Sequence, residues 1–158
     1  MAGRGTKRRP PEAGKATGPA RQSFPRRDTN GRVISASEMI IAVVAWVAAV
    51  TVVIMAVDGI ATAAGRSAFG HISGWPAAIL AVWLFLEDFR AWRIGPARFG
   101  VALVAAALGA LGGTVLVSVL DAVPPLFAGA LGALVACLIY ATVWFYGIRL
   151  MADRTTGR

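Results

Sequence analysis

Ile40 to Val57 is a run of 18 residues without a single charged side chain. At about 1.5 Å per helical residue, such a run reaches most of the way across the ~30 Å hydrocarbon core of a bilayer. Lipid offers no partner to an open backbone N–H or C=O, so a run of this kind is expected to be α-helix. Three further apolar stretches follow it. The expected fold is therefore all-α: a polytopic membrane protein with four transmembrane helices, spans at about 39–58, 67–87, 99–120 and 126–148, arranged as two antiparallel hairpins. Composition agrees, since 57% of residues are hydrophobic and 15% charged, against about 25% charged in a soluble domain.

Residues 1–34 read differently. They carry nine of the 16 Lys and Arg residues, with repeated Pro and Gly and few large apolar side chains, too little to bury a core. This segment is expected to be a disordered basic tail on the cytoplasmic side, followed by a transmembrane domain over 35–158. Ser35 and Glu38 have the spacing of a capping box that opens the first helix. Ala61-Thr62-Ala63 resembles a signal cleavage site, but the basic leader and the apolar run before it exceed those of a usual signal peptide, so the first span is expected to be retained.

The second stretch reaches the length of a span only by including His71, Ser73, Gly74 and Pro76. Its first turn is expected to be irregular, with regular helix starting near Pro76. Asp121-Ala-Val-Pro124-Pro125 ends the third span and starts the fourth. Fifteen Lys and Arg residues lie in the tail, between spans two and three, or after span four, and Arg66 alone lies elsewhere. The positive-inside rule then puts both termini in the cytoplasm and the protein in the cytoplasmic membrane. Trp75, Trp92, Trp144 and Tyr146 are expected at the interfaces. A weak internal similarity, Asp58 to Asp121 and Ala81-Val-Trp83 to Thr142-Val-Trp144, suggests either a duplicated hairpin or chance likeness between apolar helices.

One cysteine, Cys137, and one histidine, His71, leave no disulfide and no two-His metal site within the chain. No phosphate-loop, dinucleotide, zincin or hydrolase-elbow motif occurs. No cofactor, metal or catalytic residue is expected, and the chain is read as a non-enzyme.

Four groups of residues remain as candidates. Ala105, Gly109 and Gly113 in span three, with Ala128, Gly132 and Ala136 in span four, form small-residue stripes for close helix packing, within the chain or against a partner. Asp58 and Asp121 are read as hydrated helix ends, or else as a polar mouth with His71 and Arg66 that takes a cation or proton. Glu87, Asp88, Arg90 and Arg93 form a charged loop, with a Glu87–Arg90 pair on one helix face, serving topology or docking. Arg26, Arg27 and Arg32 are expected to hold the tail to anionic phospholipid headgroups. Nucleic acid is not an expected partner, because Phe24 is the only aromatic in the tail. The function expected is a non-enzymatic subunit or assembly factor of a membrane complex, bound to another membrane protein or to a second copy. The alternatives are a compact transporter or channel and, more remotely, a phage-type pore former.

Overall fold

The computed structural model describes residues 24–92 and 95–156. Residues 1–23 of the expected tail and Arg93 of the expected loop lie outside them. The described chain is all-helical: α1 (Ala36–Ala63), a 3₁₀ turn (Trp75–Ala78), α2 (Ile79–Ala91), α3 (Ala97–Val119) and α4 (Pro125–Thr156). Three helices, α1, α3 and α4, are long and apolar enough to cross a membrane.

The expected span 67–87 is not one continuous helix. Gly70 has a φ of 90°, and helix forms only from Trp75, four residues of 3₁₀ turn and then 13 of α2. The polar, Gly-rich segment before Pro76 finds partners outside its own helix. The Gly74 N–H donates to the Pro125 carbonyl at 3.3 Å, and the Leu126 N–H donates to the Gly70 carbonyl at 3.1 Å. One of the unpaired amides at the start of α4 is thereby satisfied. A Cβ on Gly74 would sit 1.9 Å from the Leu126 carbonyl oxygen, and one on Gly129 would sit 2.7 Å from the Gly74 nitrogen. Two glycines let the loop lie directly on α4.

α1 starts where the sequence predicts, but without the capping box. Ser35 makes no side-chain cap; its hydroxyl lies 2.7 Å from that of Ser37. Glu38 instead accepts from the Arg26 backbone N–H at 2.8 Å and from Arg26 Nε at 2.6 Å. A guanidinium and an amide together make a stronger pair for a carboxylate than one amide does. At its other end α1 closes in a Schellman motif: Gly65, at φ 68°, donates to the Thr62 carbonyl, and Arg66 to that of Ala61.

α4 is the centre of the fold. Leu126, Ala133, Cys137, Ala141, Trp144 and Ile148 are all buried along it, and it packs against α1, α3 and the 3₁₀ turn. α3 lies on it with opposite sense. A Cβ on Gly109 would come 2.6 Å from the Ala136 carbonyl oxygen and one on Gly113 2.6 Å from that of Gly132, while Val101 meets Gly147. Val101, Ala105, Gly109 and Gly113 are the buried face of α3. The candidate stripes thus lie together at the α3–α4 contact, with Ala128 buried beside them. α1 buries Met39, Ala42, Val43 and Val47 and leaves Ile41, Val52, Val53 and Ile60 exposed, an apolar outer face of the kind lipid solvates.

The expected disordered tail also ends earlier than residue 34. Residues 26–34 form a tight turn bridged between Arg27 and Val33. Asp28 Oδ1 accepts from the Asn30 N–H at 2.9 Å and the Arg32 N–H at 2.8 Å, an Asx arrangement completed by Gly31 at φ 82°.

Candidate functional site

Two buried aspartates and one apolar groove stand out. Asp88 follows Ala77, Ala81, Leu84 and Phe85 down the buried face that leads into α2 and along it, ahead of Trp92. It is 3% exposed and accepts twice: from the Val33 N–H at 3.0 Å and from Trp144 Nε1 at 2.7 Å. Arg149 on α4 donates to the Val33 and Ile34 carbonyls at 3.1 and 2.9 Å, and its guanidinium lies 3.6 Å from the centre of the Phe145 ring. The backbone at Val33 is thus gripped from α2 on its N–H and from α4 on its carbonyl.

Around this clamp the expected charge cluster resolves into separate roles. Glu87 pairs with Arg27 at 2.9 Å and accepts from Trp83 Nε1 at 3.0 Å, in place of the expected pair with Arg90. Arg90 is exposed. Arg26 pairs with Glu38, and Arg32 stacks 4.4 Å from the Trp92 ring centre. The three arginines expected to hold lipid headgroups are therefore engaged with the chain itself. The Asp28 carboxyl in their turn is held below its usual range, first by the Arg32 amide.

Asp58 is not a hydrated helix end. It is 0% exposed: Oδ2 accepts from the Gly70 N–H, and Oδ1 is buried without a hydrogen-bond partner. The physical reason is the Gly70 bend, whose N–H has no helical acceptor and draws the carboxylate inward. His71, Arg66 and Asp121 are exposed, and Asp121 borders a separate depression with Ser73 and Val117. Of the proposed mouth, Asp58 is thus buried while His71 and Asp121 are exposed. The pairs of the internal similarity also part company: Asp58 is buried and Asp121 exposed, while Trp83 is 62% exposed and Trp144 0%.

The groove lies between α2 and α3, which lack the close packing that α3 has with α4. It holds about 470 Å³, with Val82, Phe85 and Phe89 on one wall, Phe99, Ala102 and Ala106 on the other and Cys137 and Tyr140 as floor. At one end Arg98 lies 4.8 and 5.1 Å from the ring centres of Phe89 and Phe99 and donates to the Trp92 carbonyl at 3.0 Å. At the other end stands Trp75, whose indole meets Gly113 and Gly132. Neither the groove nor the part of Trp144 as a buried donor is visible in the sequence pattern. The buried stripe 77, 81, 84, 85, 88, 92 was a signal available for Asp88.

Among the described residues, no group of His, Cys, Asp and Glu could hold a metal ion. The chain matches no protein-family model, no curated protein and no solved structure.

Proposed function

We propose that this chain is a non-enzymatic subunit or assembly factor of a cytoplasmic-membrane complex, crossing the bilayer four times as two antiparallel hairpins with both termini in the cytoplasm. The observation that carries the reading is the use made of its buried acids. Asp58 and Asp88 each hold a non-helical segment against the helices. α3 and α4 meet backbone to backbone at Gly109 and Gly113, a contact that favours a static packing unit over a water-filled path.

The fourth crossing rests on α2. With its 3₁₀ turn it has 17 helical residues, of which the 12 from Trp75 to Leu86 precede the charged end at Glu87; that is short of the about 17–25 of a span, so the crossing takes in the non-helical segment that Gly70 and Gly74 bond to the start of α4. The arginines near Arg90 and Arg98 favour placing its far end in the cytoplasm.

The test joins topology to partnership. Reporter fusions near Lys15 and at Arg158 are expected to read as cytoplasmic, and fusions near Arg66 and Ala122 as external. An external fusion at Arg158 overturns the four-crossing count. Affinity purification in mild detergent is expected to yield a stoichiometric membrane-protein complex; a lone homo-oligomer with ion or proton flux sensitive to Asp58→Asn would establish transport instead.

A further inference from the structure

We infer that the groove between α2 and α3 is a site for one anionic phospholipid of the cytoplasmic leaflet, with an acyl chain along the groove and its phosphate at Arg98. The inference rests on the reading that α2 lies in the bilayer.

Depth argues for a lipid over a partner helix. On α3 the groove is lined from Phe99 to Ala110, which at 1.5 Å per residue is about 16 Å. That is about half of a ~30 Å hydrocarbon core. Trp75 stands across its far end over Gly113 and Gly132. A transmembrane helix would need the groove to continue through the second leaflet, whereas an acyl chain entering from the surface ends near the midplane. Volume fits too, because about 470 Å³ lies within the ~300–1,000 Å³ usual for small-molecule sites. Among the described residues the walls and floor carry no charged group.

Charge argues for an anionic headgroup. The ion pairs among the described residues are Arg26–Glu38 and Arg27–Glu87, so the Arg98 guanidinium has no carboxylate partner there. It is fixed at the groove end by Phe89, Phe99 and the Trp92 carbonyl, and its Nε is buried with no acceptor. A positioned cation without an anion, at headgroup depth, recognises a phosphate. The tail arginines are poorer candidates. Arg26 and Arg27 already have carboxylate partners; Arg32, whose Nε is likewise buried without a partner, stacks on Trp92, which does not line the groove, whereas the rings under Arg98 do.

The test uses the full chain in mild detergent, titrated with phosphatidylglycerol or phosphatidylcholine of the same acyl chains and read by native mass spectrometry. One phosphatidylglycerol is expected per chain, retained on the order of tenfold better than phosphatidylcholine, since hydrogen bonds to charged groups are the strong class. Arg98→Gln is expected to erase the headgroup preference, and Arg98→Lys to restore most of it. Ala106→Trp, which fills the groove from an exposed position, is expected to lose both lipids while helical content by circular dichroism is kept. Equal retention of the two lipids overturns the inference, as does a preference that survives Arg98→Gln or binding that survives Ala106→Trp. Topology reporters on the same variants separate the two readings: a normal four-crossing pattern without lipid preference sinks the lipid site alone.

Discussion

Replacing Asp88 by Ala removes the acceptor of two buried donors at once. Val33 is 2% exposed and Trp144 0%, so neither N–H gains water when the carboxylate goes. A hydrogen bond to a charged group contributes about 1.5–3 kcal/mol, and a stranded buried donor costs about 1–3 kcal/mol. Polar contacts between membrane helices measure lower, averaging ~0.6 kcal/mol, because the unfolded chain in lipid finds other partners. The Trp144 bond joins α2 to α4 and belongs to that lower class, whereas the Val33 bond holds a backbone segment outside the helices. Asp88→Ala is therefore expected to destabilise by about 2–4 kcal/mol and Trp144→Phe by about 1 kcal/mol beyond its packing loss. The double variant should fall short of the sum by more than the ~0.5 kcal/mol scatter of independent sites, since one bond is counted twice. Unfolding in mixed micelles, followed by circular dichroism, measures all three. Trypsin should also cut faster after Arg27 and Arg32 in Asp88→Ala, because the turn that holds them is released. Additive effects together with unchanged cleavage would refute the clamp.

Gly74→Ala and Gly113→Leu should each lower unfolding stability in detergent, by about 1–3 kcal/mol or more, because an added Cβ meets backbone at 1.9 and 2.6 Å. Gly100→Ala, where nothing lies within 4 Å, serves as the neutral control, and equal behaviour of all three would remove the packing argument. Acid should loosen the turn of residues 26–33. The Arg32 amide holds the Asp28 carboxyl below its usual 3.8, so its contribution is complete above that value and is lost as pH falls through the lower, folded one. Hydrogen exchange of the Asn30 and Arg32 amides reads this directly, and exchange that does not rise further below that range in the native chain than in Asp28→Ala would count against it.

The long helices were legible because lipid leaves few options. Hydropathy places α1, α3 and α4, Pro125 marks the start of α4, and small residues every fourth position mark the α3–α4 contact. What escaped depends on partners distant in sequence. Asp58 and Asp88 each end an apolar run and look like solvated ends, yet their acceptors are taken by Gly70 and by Val33 and Trp144. The separations of 55 and 56 residues between Asp88 and its donors lie outside any helical pattern. Trp144 looks like an interfacial aromatic, and only the α2–α4 approach turns its N–H inward. Ser35 and Glu38 fit the capping box by spacing, but the spacing could not reveal Arg26 as a competitor.

A common demand explains both aspartates. Where the chain leaves helix yet stays packed against the helices, its buried N–H groups have no helical acceptor and must find another. At the loop end this occurs at Gly70, and at the tail end at Val33; in each case a carboxylate from a nearby helix supplies the acceptor. A carbonyl could accept one such bond, but a carboxyl group brings two oxygens, and at Asp88 the second is left to tie in another helix through Trp144. At Asp58 the second oxygen has no such partner. The two ends of the fold are thus fastened by the same device with unequal completeness, which makes the Asp58–Gly70 contact the weaker fastening. Local opening should begin in the segment between α1 and the 3₁₀ turn before it reaches the Val33 clamp: by hydrogen exchange the Gly70 amide should exchange ahead of the Val33 amide, and the reverse order would refute the ranking.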